Sequence, residues 1–242
     1  ITGGADAALF AIDPLTGVLS FVTAPDFESP TDAGGNNVYD VTVEVSDGNG
    51  GSDSQAIAVT VTNTNEAPVI TSNGGGASAS INAAENQTAV TTVTSSDVDG
   101  GTPSYAITGG ADAALFAIDP LTGVLSFVTA PDFESPADAG GNNVYDVTVE
   151  VSDGNGGSDS QAIAVTVTNT NEAPVITSNG GGATASVNAA ENQTAVTTVT
   201  SSDVDGGTPS YAITGGADAA LFAIDPLTGV LSFVTAPDFE SP

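Results

Sequence analysis

Lysine, arginine, histidine, cysteine, methionine and tryptophan are all missing from the 242 residues. Each gap removes a class of function. Nucleic acids and anionic membranes are held by pairing phosphates with cationic side chains, so a chain with thirty acids and a net charge of −30 takes neither as a direct partner. General acids and bases are limited to carboxylates and four tyrosines. A carboxylate pair can cleave a glycoside, but nothing in the sequence marks a sugar cleft, and the chain is not expected to be an enzyme. No disulfide can brace it. With no Lys or Arg it offers trypsin-like proteases no cleavage site, and with no Cys, Met or Trp it offers oxidants little to attack. No apolar run approaches the ~20 residues of a membrane span.

What remains is oxygen. An acidic chain without cationic side chains needs another counter-ion, and a chain without thiolate or imidazole cannot hold zinc, copper or iron. The expected partner is a hard cation, calcium before magnesium. Excess acid can also keep a surface soluble in brine. Charged residues are only 12% of this chain, about half the usual ~25%, so the acids are few enough to hold specific positions.

The sequence repeats every 106 residues. Residues 1–136 aligned on 107–242 differ only at Thr31/Ala137, Ser78/Thr184 and Ile81/Val187. That period exceeds the roughly 20–50 residues of solenoid repeats and suits one self-sufficient small domain. The expected division is the C-terminal part of one repeat (1–67), a complete repeat (68–174) and the N-terminal part of a third (175–242), read as an excerpt of a longer array.

Within the complete repeat, hydrophobicity alternates with period two, the mark of half-buried strands. Tyr145, Val147, Val149 and Val151 share one face, and Ile163, Val165 and Val167 share another. The Gly/Asn-rich stretch 152–158 joins them as a hairpin. Phe116–Ile118 and Val124–Phe127 flank Asp119-Pro120-Leu121-Thr122-Gly123, in which Pro presets φ and Gly supplies a positive φ. Further strands are expected at 105–107, at 88–94 and at the split pair 69–71 and 79–81, with Asn73-Gly74-Gly75-Gly76 as a flexible break. No segment has a helical period. The predicted fold is all-β: tandem seven-stranded Greek-key β-sandwiches arranged end to end.

The acids gather in turns: Ala84-Glu85-Asn86, Asp97-Val98-Asp99-Gly100, Pro131-Asp132-Phe133-Glu134 and Ser152-Asp153-Gly154, with Asn169-Thr170-Asn171-Glu172-Ala173-Pro174 at the junction to the next repeat. Successive turns of a sandwich alternate between its poles. Asp97, Asp99 and Asp153 therefore share the pole where the chain enters, and Glu85, Asp132 and Glu134 the pole where it leaves. Stacked repeats would set like charges against each other, and calcium, with its six to eight oxygens, would reverse that repulsion.

These motifs, in this order, resemble a cadherin-type repeat of the kind strung in tandem in large bacterial surface adhesins. Ala84-Glu85-Asn86 is similar to the family's P-E-N, Asp97-Val98-Asp99 to its D-x-D, and Asp132-Phe133-Glu134 to its D-R-E. Val151-Ser152-Asp153-Gly154 and the Ile118–Val124 hairpin also fit. The resemblance implies calcium clamped between successive repeats. One junction would gather Asp26, Glu28, Asn63, Asn65, Glu66, Asp97, Asp99 and Asp153. The next would gather Glu85, Asp132, Glu134, Asn169, Asn171, Glu172, Asp203 and Asp205. Asp47 would serve a joint outside these two.

The family's linker D-x-N-D-N-A-P is altered here. Thr168 and Asn171 stand at its two Asp positions and Glu172 at its last Asn, as do Thr62, Asn65 and Glu66 one repeat earlier. Two carboxylates are lost and one gained, giving two to three ions per junction. Two weaker signals are the glycosylation-type triplet Asn86-Gln87-Thr88 and the glycine-rich stretch 47–53, read as a hairpin loop. The expected function is an extracellular, cell-surface rod or filament that acts as a spacer or scaffold, with neighbouring repeats and like chains as partners. The alternative is a homophilic or glycan-binding adhesion module.

Overall fold

The computed structural model describes residues 1–240. Among them regular structure is strand, apart from single 3-10 turns at Ala7–Leu9, Ala113–Leu115, Ser178–Gly180 and Ala219–Leu221. The chain falls into two compact units. One comprises Ile1–Ile81, Ala89–Val128 and Val144–Thr166, and the other Asn82–Thr88, Thr129–Asn143 and the residues from Val167 onward.

The middle repeat shows the whole strand plan. One sheet runs Phe116–Ile118, Val124–Phe127, Ala89–Thr92, all antiparallel. The other runs Ser78–Ala84, Ser158–Thr168, Val144–Ser152, Ser104–Gly109. The repeat's early strand thus lies beside its last one, which is the Greek-key crossover. A short pair, Val69–Ile70 with Ser95–Ser96, completes it. The seven expected strands are all present, the first two each broken once.

Alternation is realised as burial. Tyr145, Val147, Val149 and Val151 are buried along one strand and Ile163, Val165 and Val167 along its partner, while Asp146 is exposed. Phe116 and Phe127 stack at 4.7 Å between centroids, and Tyr145 presents its edge to Phe127 at 5.2 Å. Such ring pairs add about 0.5–1.5 kcal/mol beyond the area they bury. The same trio recurs as Phe10, Phe21 and Tyr39.

Comparison of equivalent positions shows what each strand contributes. Val151 is 0% exposed and its counterpart Val45 is 70% exposed. In the middle repeat Val151 faces Tyr105 on the Ser104–Gly109 strand. Gly3 pairs with Thr42 as its counterpart Gly109 pairs with Thr148. In the second unit, Ala195–Thr198, Val230–Phe233 and Phe222–Ile224 reproduce the three-stranded sheet. Residues 184–190 and 210–215 carry no strand there. Their counterparts in the middle repeat lie in the sheet built on the Val144–Thr168 hairpin.

The Asn73–Gly76 stretch breaks the first strand as expected, between Val69–Ile70 and Ser78–Ala84, and side-chain hydrogen bonds tie it to the neighbouring strands. Gln161, fully buried, donates from Nε2 to the Gly76 carbonyl at 3.0 Å and accepts from Asn73 Nδ2 at 3.3 Å. Thr91 Oγ1 donates to Asn73 Oδ1 at 3.1 Å. A buried glutamine on a strand of alternating valines gives no sign in sequence of what it will hold.

Gly123 is fixed by contact as well as by its φ, and Gly100 by its φ alone. Gly123, at φ +69°, turns so close under the neighbouring strand that a Cβ would lie 2.1 Å from the Val93 carbonyl oxygen. Gly100, at φ +74°, has open space around it. Gly123→Ala is expected to lower unfolding stability by more than about 2 kcal/mol, and Gly100→Ala by about 1 kcal/mol from backbone strain alone. Chemical denaturation of the two variants checks the contrast.

Candidate metal centre

Each compact unit contains one junction between repeats, with the full set of acids predicted for it. In the first unit, Glu28, Glu66 and Asp99 bring one carboxylate oxygen each to within 4.8 Å of one another. The local turns explain how. Asp26 Oδ1 accepts the N–H groups of Glu28 and Ser29 at 3.0 and 3.1 Å, which turns Glu28 back over the end of its repeat. Asp97 Oδ1 accepts the Asp99 N–H at 2.9 Å and sets Asp99 in the following turn. The linker is then sewn to the next repeat. Glu66 N–H donates to Asp99 Oδ2 at 2.7 Å, Asn63 Nδ2 to Asp99 Oδ1 at 2.7 Å, and Asn65 Nδ2 to Asp153 Oδ2 at 2.6 Å.

The second unit repeats the pattern with two more acids in its triads. Glu85, Asp132 and Glu134 form one triad, and Glu134, Glu172 and Asp205 another, so Glu134 belongs to both. Glu85 is buried, and its two oxygens accept the N–H groups of Thr170 at 2.7 Å and Phe133 at 2.8 Å. Asn169 Nδ2 donates to Glu134 Oε1 at 2.7 Å and to Asp205 Oδ1 at 2.8 Å. Glu172 N–H donates to Asp205 Oδ2 at 2.6 Å, and Asn171 Nδ2 to the Glu172 carbonyl at 2.7 Å. Asp205 N–H is taken by Asp203 Oδ1 at 3.1 Å. Asn86 Nδ2 hydrogen-bonds Glu172 Oε1, while Glu172 Oε2 is buried with no hydrogen-bond partner. A buried carboxylate oxygen left unpaired is costly, and a cation is the partner its charge calls for.

The side chains divide into three groups. Glu28, Glu66, Asp99, Glu85, Asp132, Glu134, Glu172 and Asp205 converge in the triads. Asp26, Asp97 and Asp203 lie outside them and shape the turns that carry Glu28, Asp99 and Asp205. Asp153 and the linker asparagines Asn63, Asn65, Asn169 and Asn171 stand around the triads. Sequence reasoning did not name Glu191, Asp238 and Glu240, which form a further triad. The 106-residue period was the signal, since they are the counterparts of Glu85, Asp132 and Glu134.

Another set of acids has a purely structural part that composition could not separate from the rest. Buried Asp6 accepts the N–H groups of Ala33 at 2.6 Å and Asp40 at 2.8 Å. Asp32 accepts those of Asn36 and Asn37, each at 3.0 Å.

The crowding divides the carboxylates by titration. Desolvation, then the charges of neighbouring acids, pushes Glu28, Glu66 and Glu134 above the usual Glu value, and Glu172 rises for the same reasons against the pull of Asn86. Asp99 is held below its usual value first by Asn63 and then by the Glu66 N–H. Asp205 is held down by the Glu172 N–H and then Asn169, and Asp153 by Asn65 and then the Asn155 N–H. Oxygen donors at mixed carboxylate and amide positions, from two repeats and a linker, suit a hard divalent ion.

Residues 78–168 match the model of the Cadherin domain family. A 35-residue stretch, 14% of the chain, is 60% identical to halomucin of Haloquadratum walsbyi, of which it covers 0%. Among solved structures, human CDH23 EC21-23 is 20% identical over 99% of this chain and 75% of that one, with a TM-score of 0.57. Protocadherin gammaB7 EC3-6 is 24% identical over 96% of this chain and 58% of that one, with a TM-score of 0.53. At these identities the structural likeness speaks for the fold.

The raised Glu residues bind protons more tightly folded than unfolded. In metal-free protein stability therefore falls as pH rises from 4.5, the ordinary Glu value, through their raised titration. The lowered Asp residues act the other way, and their contribution disappears as pH falls from 3.8 through their depressed titration. With chelator present, the melting temperature is expected to be higher near pH 4.5 than near pH 7. Calorimetric scans across that range check the sign.

Proposed function

We propose that this chain, an array of cadherin-like repeats, works mechanically: an extracellular rod or filament that holds other groups away from a surface and is stiffened by calcium at each junction. The repeat boundaries that go with this reading are 1–67, 68–174 and 175–242. The observation that carries it is the convergence, at both junctions, of carboxylates from two successive repeats and their linker, in a chain with no cationic side chain to relieve them.

Calcium would be held by Glu28, Glu66 and Asp99 at the first junction, with Asp153, Asn63 and Asn65 close by. At the second it would be held by Glu85, Asp132, Glu134, Glu172 and Asp205. Two overlapping triads through Glu134 support two ions at that junction, and a third would draw on Asn169, Asn171 and the Asp203 turn. The bound ion supplies positive charge and directional oxygen bonding. The chain's own contribution is position: the Asp26, Asp97 and Asp203 turns aim the acids, and the linker N–H and amide groups fix the next repeat before any ion binds. Affinity for the ion then becomes resistance to bending, because a full shell needs ligands from both sides of the joint.

The 5% aromatic content supports a spacer over a recognition surface, since binding surfaces concentrate energy in exposed aromatic anchors, and here most rings sit in the sandwich cores. Adhesion to like chains or to glycans would require isolated repeats to bind a partner.

The test is scattering and calorimetry on the 242-residue chain, first with millimolar calcium and then with chelator. Calcium is expected to give an extended, stiff particle and a raised melting temperature, because a ligand bound only by the folded, stacked state stabilises it by mass action. Unchanged profiles would dismiss the reading. Glu172→Gln is expected to weaken calcium binding at the second junction by about tenfold or more, as loss of one charged ligand bond of roughly 1.5–3 kcal/mol implies. Calcium titration calorimetry of this variant beside the parent chain checks it.

A further inference from the structure

Four Asn-Gly steps occur in the chain, at 49–50, 73–74, 155–156 and 179–180. This dipeptide is chemically the least durable in a protein without Cys, Met or Trp. The Gly backbone nitrogen, having lost its proton to base, attacks the Asn side-chain carbonyl carbon, a C–N bond forms, and ammonia leaves. Water then opens the resulting succinimide at either carbonyl, giving Asp or isoaspartate. The ring closes only if the Asn side chain is free to swing onto the following nitrogen, and the structure gives the four copies different freedom.

Asn73 is clamped at both ends of its amide. Nδ2 donates to the buried Gln161 at 3.3 Å, and Oδ1 accepts from Thr91 at 3.1 Å. Asn179, its counterpart, is exposed and keeps only the bond from Thr197 Oγ1 at 3.0 Å. Asn155 and Asn49 are exposed on hairpin turns. Their backbone N–H groups are taken by Asp153 Oδ1 and Asp47 Oδ1 at 2.7 and 2.8 Å, which holds the main chain, while Asn49 Nδ2 makes one long bond to the Asp47 carbonyl at 3.3 Å. The glycines do not separate the copies, since Gly50, Gly74, Gly156 and Gly180 all have open space where a Cβ would stand.

We infer that the hairpin turns at Asn49-Gly50 and Asn155-Gly156 are spontaneous deamidation sites, while the same dipeptide at Asn73-Gly74 is protected by the Gln161–Thr91 clamp. The consequence falls on the first junction. Asp153 Oδ1 accepts the N–H groups of both Asn155 and Gly157, and its Oδ2 accepts Asn65 Nδ2 from the linker. Isoaspartate at 155 inserts a methylene into the backbone between those two N–H groups, and either product adds a carboxylate two residues from Asp153. Deamidation thus acts as a clock that loosens one side of the joint. The chemical step stands apart from the calcium reading, and only its effect on the joint rests on that reading.

The test ages the folded 242-residue chain at mildly alkaline pH, cleaves after glutamate and locates deamidation by mass spectrometry. Peptides 67–85 and 173–191 differ at two positions and so separate Asn73 from Asn179, while 45–66 and 151–172 are identical and report Asn49 and Asn155 together. Conversion in that shared pool is expected to outpace Asn73 by about tenfold or more, since two side-chain hydrogen bonds must open first at Asn73. Asn179 is expected between them.

In denaturant the four sites should convert alike, and Thr91→Val should accelerate Asn73 alone. Equal rates in the folded chain, or a difference that persists in denaturant, would overturn the proposal. For the effect on the joint, aged parent chain is expected to lose calcium-dependent stabilisation that an aged Asn49→Gln/Asn155→Gln variant keeps. Equal loss in both would confine deamidation to a chemical change without effect on the joint.

Discussion

Like charge brought together without a counter-charge is the constraint on which this molecule depends. At both junctions carboxylates of two repeats and their linker lie within 4.8 Å of one another, and the chain has no Lys, Arg or His to answer them. Hydrogen bonds from Asn63, Asn65, Asn169 and the backbone of Glu66 and Glu172 relieve part of the repulsion, mostly on Asp99, Asp153 and Asp205. They leave the glutamates strained toward protonation and Glu172 Oε2 buried without a partner. A divalent cation would satisfy all of these groups at once.

Much of this was legible in the sequence because both signals are periodic. Alternating valines defined the strands, and Phe116–Ile118 and Val124–Phe127 form at the expected residues. The acids expected at each junction were named from turn chemistry and family resemblance, and the fold brings eight of them into the triads. What escaped was whatever depends on one side chain reaching across the fold. Gln161 holding the Asn73 bulge is such a case, as is Asp6 receiving the Asp40 N–H from 34 residues away. Asp6 and Asp99 are the same residue type in Gly-rich surroundings, and only the fold separates a carboxylate that caps backbone from one that faces other carboxylates.

Near-identity of repeats makes the chain its own control. Val45 and Val151, Asn73 and Asn179, Glu85 and Glu191 are equivalent in sequence and differ in their neighbours, so their differences report tertiary context directly. On the proposed reading calcium would act at the joints, while aromatic stacking and valine ladders hold the beads, and the two sets of residues hardly overlap. That separation would let stiffness respond to the ion while each sandwich stays folded. The same composition that removes protease and oxidation targets leaves asparagine as the weak chemical point, at a turn beside a joint.

The most direct measurement is anomalous diffraction from crystals of this chain grown in calcium. An ion at the second junction bound jointly by oxygens of Glu134 and Glu172 from one repeat and Asp205 from the next is the predicted result. Side chains turned outward with no density between them, or an ion held by one repeat alone, would contradict it.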